Sequence, residues 1–202
     1  VPMSNLYLAQ FRIGRKEALR HRLVSAYELH KLLWNCFPGR PEAKRDFLFR
    51  CDEEEAALKI LMLSETKPEV CDWAEWDGIK EIDPVFPIGS LYCFRLRANP
   101  TIRAKEDGKL RAVTREEELH SWLVRKAEKN GFALRSEPEY SGCRLERFSK
   151  TPGGPGISLN VVEIGGALAV TDSAAFGEAF RRGIGRGRAF GCGMLLLKRI
   201  EL

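Results

Sequence analysis

In the 202-residue sequence no two cysteines stand closer than 15 positions, although there are six, at 36, 51, 71, 93, 143 and 192. That spacing offers no C-x-x-C pair for zinc or redox chemistry. Histidine is scarce as well. His21, His30 and His120 lie far apart and make no metal-ligand pattern. Apolar runs are short, none near the ~18 residues that a membrane span needs. The N-terminus shows no basic-then-apolar secretory pattern, and Val1-Pro2 ahead of Met3 reads as a cloning remnant. No Gly-Lys-Ser/Thr follows a strand, and neither half carries an RNP1-type aromatic consensus. These absences lead us to expect a cytoplasmic protein with free, buried thiols, no metal, no cofactor and no membrane partner.

What is present is a composition able to fold: 44% hydrophobic and 30% charged residues, with a length that fits one large domain or two of roughly 100 residues. The net charge of +5 is unevenly placed. Residues 1–98 hold 15 bases and 15 acids, and residues 99–202 hold 18 and 13. Within the first half, 12–50 has ten bases and four acids, while 51–97 has five and eleven. Residues 179–200 carry six bases and no acid. One-sign clusters of this kind suit a polyanion, with nucleic acid the first candidate.

Alternation places a strand at 5–13, with Tyr7, Ala9, Phe11 and Ile13 on one side. A basic loop follows (Arg15, Lys16, Arg20, His21, Arg22). Ser25 and Glu28 form a capping box for a helix ended by Pro38-Gly39. Residues 46–52 and 58–64 read as strands joined by an acidic turn, and 66–88 as irregular, with a short strand near 79–82. A strand at 90–98 ends at Asn99-Pro100. Thr114 and Glu117 form a second capping box for a helix to Asn130, and Gly131 suits its C′ position. Strands at 132–148 and 157–170 flank the turn 151–156. Asp172 caps a short helix that buries Phe176 and Phe180 and stops at Gly183, and 194–201 is a last strand. The order strand-helix-strand-strand recurs twice, giving an α+β protein of tandem ferredoxin-like (RRM-like) βαββαβ domains, 3–88 and 89–202.

On the first helix Leu29, Leu32, Leu33 and Cys36 share one arc of about 100°, the core face. Tyr27, His30, Lys31 and Trp34 share the opposite arc. A phenol, an imidazole and an ammonium are thus expected to project together, away from the core. Imidazole is the one side chain whose ordinary pKa lets it both take and give a proton near neutrality. His21 is a weaker candidate for a phosphate contact, and His120, beside Leu119, Trp122 and Leu123, reads as structural. The segment 183–193 holds five glycines (Gly183, Gly185, Gly187, Gly191, Gly193) with Arg186 and Arg188. It follows a helix and opens a strand, the reverse of a dinucleotide loop. It offers instead close backbone approach and arginines for phosphates.

Taken in order, LYLAQFRI, YELHKLLW followed by FPG, DFLFR, YCFRLRANP and GIGRGRAFGCGMLLL resemble the CasE family of CRISPR-associated repeat-RNA endoribonucleases, subunits of type I-E Cascade. These stretches run from about residue 6 to 197. The resemblance implies two tandem ferredoxin-like domains, the first bearing the catalytic helix. It implies metal-independent cleavage of precursor CRISPR RNA at the 3′ base of the repeat stem-loop, and retention of the product among the other Cascade subunits. The family's motif histidine falls on His30 and its tyrosine partner on Tyr27. Lys31, Arg144, Arg147, Lys150, Arg181, Arg182, Arg186 and Arg188 are the expected RNA-binding residues. Two rivals remain open: a non-catalytic tandem RRM-like RNA-binding protein, which lacks its RNP1 signature here, and a small-phosphate enzyme of acylphosphatase type on the same fold.

Overall fold

A computed structural model describes residues 5–39, 46–151 and 153–201. The dipeptide ahead of Met3 and one residue of the 151–156 turn, Pro152, lie outside these. The chain divides into two compact units, Val1–Pro84 with Ala189–Gly191, and Val85–Arg188 with Cys192–Leu202.

The first unit comprises β1 (Leu6–Gly14), α1 (Arg15–Arg20), α2 (Ala26–Leu33), β2 (Phe47–Glu53), β3 (Ala57–Ser64) and β4 (Glu75–Ile82). Its sheet runs β2-β3-β1-β4, with every neighbouring pair antiparallel. That is the ferredoxin-like strand order, but no helix joins β3 to β4. Strand alternation sends Ala9, Phe11 and Ile13 of β1 into a core with Leu29, Leu32, Leu33 and Cys36, all of them buried. The basic stretch read as a loop is in part the short helix α1. It buries none of its residues, so no apolar period marked it. The strand expected near 79–82 begins earlier, at Glu75, where β1 supplies a partner and the register shifts between Gln10 and Phe11.

The second unit comprises β5 (Leu91–Ala98), a small hairpin of β6 (Thr101–Arg103) and β7 (Leu110–Ala112), α3 (Glu116–Lys129), β8 (Phe132–Leu134), β9 (Glu139–Ser149), β10 (Gly156–Val170), α4 (Ser173–Arg182) and β11 (Leu195–Arg199). The order β11-β5-β10-β8, with β9 also paired to β10, repeats the first topology. The strand expected over 132–148 is two strands. Between them Arg135 N and Ser136 Oγ bond the backbone of Ala167, and Pro138, which has no N–H to give a ladder, keeps the break open. The capping box expected at Thr114 is absent: α3 starts after Arg115, and no side chain caps it. Asp172 does cap α4, its Oδ1 accepting from the Ala174 and Ala175 amides at 2.9 and 3.0 Å.

The six thiols are free, but burial differs from expectation. Cys36 and Cys192 are buried, whereas Cys93 and Cys143 lie exposed on strands whose alternation turns them outward. No helix among the described residues is long and apolar enough to cross a membrane.

Gly131 joins α3 to β8 at φ +71°, and its carbonyl accepts from the amides of both Thr171 and Asp172. A Cβ there would lie 2.4 Å from the Asp172 carbonyl oxygen and 2.9 Å from the Phe176 amide nitrogen, both backbone atoms that cannot swing away. Gly131→Ala should therefore cost about 2–3 kcal/mol, seen as a lower urea midpoint at unchanged slope.

Candidate active site and nucleic-acid interface

Ser25 opens α2, its Oγ accepting from the Tyr27 amide at 3.2 Å and its hydroxyl donating to the Glu28 carboxylate, a side-chain pair in place of the reciprocal backbone bonds of the expected capping box. Docking of Leu29, Leu32 and Leu33 then fixes the rotation of the helix. Tyr27, His30 and Lys31 follow at i, i+3 and i+4, the spacing of one helical face. The Lys31 ammonium, exposed, sits 5.6 Å from the centre of the Tyr27 ring.

His30 and Trp34 do not project into solvent. The imidazole lies against Phe47 (centroids 5.7 Å, 32°) and Phe49 (6.4 Å, 17°), and Trp34 packs edge-on to Phe47 at 5.3 Å. A helical wheel omits β2, whose alternate residues Phe47 and Phe49 extend the apolar surface around the side of α2. The indole Nε1–H of Trp34 donates to His30 Nε2 at 3.2 Å. An indole can only donate, so Nε2 carries the lone pair and the neutral ring holds its proton on Nδ1. Trp34 is the residue that sequence reading undervalued. The signal was the i, i+4 spacing of His and Trp beside a Phe-x-Phe strand.

Among the glycine-rich loop residues, Ala189–Gly191 group with the first unit. A Cβ on Gly191 would come within 3.4 Å of Phe49, on which His30 also stacks. The rest of the loop is clasped in the second unit, through Ile184 N to Gly193 O at 2.8 Å and Gly193 N to Arg97 O at 2.7 Å. Gly193, at φ +91°, leaves no room for a side chain, since a Cβ would meet Ile184 O and Arg188 Cγ at 2.9 Å. Burial pushes the neighbouring Cys192 thiol up to about 12, so it stays protonated and is no nucleophile.

The expected RNA-binding residues are dispersed. Arg144 pairs with Glu146 at 2.8 Å. Arg147 lies three residues on along a regular stretch of β9, hence on the opposite face of that strand, and Lys150 follows the strand, exposed. Arg181 is half-buried, while Arg182 is exposed and paired to Glu178 at 3.1 Å. Arg186 is exposed, and Arg188 donates to the Arg182 carbonyl at 2.9 Å, closing the end of α4. His21 stands 3.7 Å from a Glu17 carboxylate oxygen, and His120 3.6 Å from one of Glu137.

A family profile described as "CRISPR associated protein" matches residues 6–199. The chain is 31% identical to the CRISPR system Cascade subunit CasE of Escherichia coli K12 over 184 residues, covering 85% of this chain and 90% of that one. It is 30% identical to the CRISPR-associated endoribonuclease Cse3 of Thermus thermophilus over 195 residues, covering 88% and 92%. The structure of Thermus thermophilus Cse3 bound to an RNA representing a pre-cleavage complex superposes with a TM-score of 0.82 at 25% identity, over 96% of this chain and 99% of that one.

The Trp34–His30 bond predicts a spectroscopic result. Ring nitrogen-15 shifts of His30 should report the Nδ1–H tautomer. Trp34→Phe keeps the aromatic packing and removes the donor. It should move the tautomer ratio about fivefold towards Nε2–H, for a bond worth about 1 kcal/mol.

Proposed function

The chain belongs to the family of CRISPR-associated proteins matched over residues 6–199, and from that membership we propose its function: a metal-independent endoribonuclease that cleaves precursor CRISPR RNA at the 3′ base of the repeat stem-loop. The product remains bound, and the protein acts as a Cascade subunit, in the cytoplasm. The first ferredoxin-like domain, 3–88, supplies chemistry, and the second, 89–202, supplies the RNA-binding surface and the glycine-rich loop. The observation that carries the reading is His30: an imidazole held by one nitrogen in an aromatic recess, with a phenol and an ammonium on the same helix.

RNA brings its own nucleophile, the 2′-hydroxyl. Its oxygen forms a bond to the adjacent phosphorus as the bond from phosphorus to the 5′-oxygen breaks. One proton leaves the 2′-hydroxyl and one arrives at the 5′-oxygen. The products are a 2′,3′-cyclic phosphate and a 5′-hydroxyl. No metal hydroxide is needed to generate the nucleophile, so the protein must align the groups, move protons and stabilise a phosphorane richer in negative charge. His30 is the proton-transfer group. Its Nε2 is bonded to Trp34 at 3.2 Å, a long bond that substrate exchanges for one of its own. Tyr27 orients the reacting phosphate, and Lys31 offsets its charge. Arg144, Arg147, Lys150, Arg181, Arg182, Arg186 and Arg188 contribute phosphate contacts, with Gly183, Gly185, Gly187, Gly191 and Gly193 shaping the loop that carries the last two arginines.

Incubation with repeat RNA tests the reading. Cleavage should leave a 2′,3′-cyclic phosphate and a 5′-hydroxyl, and should persist in EDTA. His30→Ala should lower the single-turnover rate by about 10²–10⁴-fold while RNA affinity is kept. Equal cleavage by this variant and wild type would remove His30 from the chemistry. Binding without cleavage by the wild type would return the protein to the RRM-like class.

A further inference from the structure

The second unit holds a strongly basic concavity that neither charge counting nor motif spacing marks in the sequence. It is a cavity of about 490 Å³, walled by β6 and α3 and lined by Arg103, Lys105, Arg125, Lys126, Lys129 and the edge of Trp122, among others, with no carboxylate in the lining. No ion pair joins Lys105, Arg125, Lys126 or Lys129 to an acid among the described residues. The Arg103 guanidinium meets only a backbone carbonyl, that of Gly108, at 2.6 Å. Glu106 and Asp107 of the same hairpin are engaged by Lys109 and Arg111 instead. The C-terminal end of α3 offsets only about half a unit charge, against five cations.

One of these cations, Lys126, is also held in place. Lys126 spans the Trp122 ring at 5.6 Å from its centre. On the other side, Trp122 meets the glycine-rich loop, where a Cβ on Gly185 would come within 3.3 Å of the indole. Burial lowers the Lys126 pKa, and the facing charges of Lys129, Arg125 and Arg186 lower it further. A site in which cations depress one another is one that an anion would relieve.

We propose that this cavity binds the phosphodiester backbone of single-stranded RNA flanking the repeat stem. The inference rests on the endoribonuclease reading, because a hairpin cut from a precursor is continuous with single strands on both sides. A recess of this size admits one strand. A duplex is gripped across a broad face through its phosphates and 2′-hydroxyls. Trp122 is buried, so it serves as a wall under Lys126 and leaves base stacking out of the contact. Beyond its five cations the lining adds only Thr101, Ile102 and the edge of Trp122, so the cavity takes RNA chiefly by charge, through the backbone.

The test compares stem-loop RNA alone with stem-loop RNA carrying both flanks, titrated across salt against wild type and the exposed pair Arg125→Ala/Lys129→Ala. With the flanked RNA, the variant should lose about tenfold in affinity near 0.15 M salt, and its log–log salt slope should fall by about 1.4 for two single-strand contacts. Affinity for the stem alone, and the cleavage rate of a stem carrying a single 3′ nucleotide as leaving group, should not change, which also shows that the variant is folded. Unchanged binding of flanked RNA by the variant overturns the proposal alone. Equal loss on both RNAs assigns the cavity to the stem and overturns it as stated. Kept RNA affinity with lost binding of poly-glutamate assigns the cavity to an acidic protein segment and likewise overturns it. Absence of RNA binding by the wild type overturns the endoribonuclease reading and this inference together.

Discussion

Leu29, Leu32 and Leu33 press α2 onto the sheet through Ala9, Phe11 and Ile13, and the rotation that this contact imposes decides where every polar group of the helix goes. Truncating any one of these leucines would cost about 2–5 kcal/mol, more than a hydrogen bond to His30 returns. The proposed catalytic face is therefore a consequence of the core. With the core arc docked, the other arc meets the side of β2, and the Phe47 and Phe49 rings become a wall for the imidazole. The Trp34 bond then selects one nitrogen of that ring.

The two units solve the same topological problem with different emphasis. Both carry the β2-β3-β1-β4 type of order, in which the first strand lies inside the sheet, flanked by the third and the fourth. The first unit omits the helix between its last two strands and keeps one well-capped helix with the imidazole. The second keeps both helices, extends β10 to 15 residues and breaks the strand beside it. Charge follows this division. The acids of 51–97 fall on β2, the turn after it and the region around β4, where Arg12 pairs with Glu54 and Asp77. The basic concavity lies in the second unit.

Much of the fold was legible because it rests on local rules. The alternation in β1, the Ser25 cap, the Asp172 cap and the left-handed Gly131 each act within a few residues, and the structure contains all of them. The misreadings have equally definite causes. Thr114 and Glu117 had the right spacing for a cap, yet α3 begins one residue later. The strand over 132–148 looked continuous although Pro138 marked a break, because the bonds that hold that break open run to Ala167, some 30 positions away. His30 and Trp34 looked solvated because the phenylalanines that pack on them come from another element.

The sequence by itself determined the class of protein: the α+β element order, the helix that presents Tyr27, His30 and Lys31, the basic second half, and the resemblance to repeat-RNA endoribonucleases. Tertiary structure alone decided the environment of those groups. It put His30 against two phenylalanines and under an indole N–H, turned Arg144 and Arg147 to opposite faces of one strand, and gathered Arg103 and Lys105 with Arg125, Lys126 and Lys129 around a single recess. The reason is one of range. Periodicity and capping are set within a turn of helix or a few residues of strand, whereas burial, pairing and charge density depend on distances between atoms far apart in the chain.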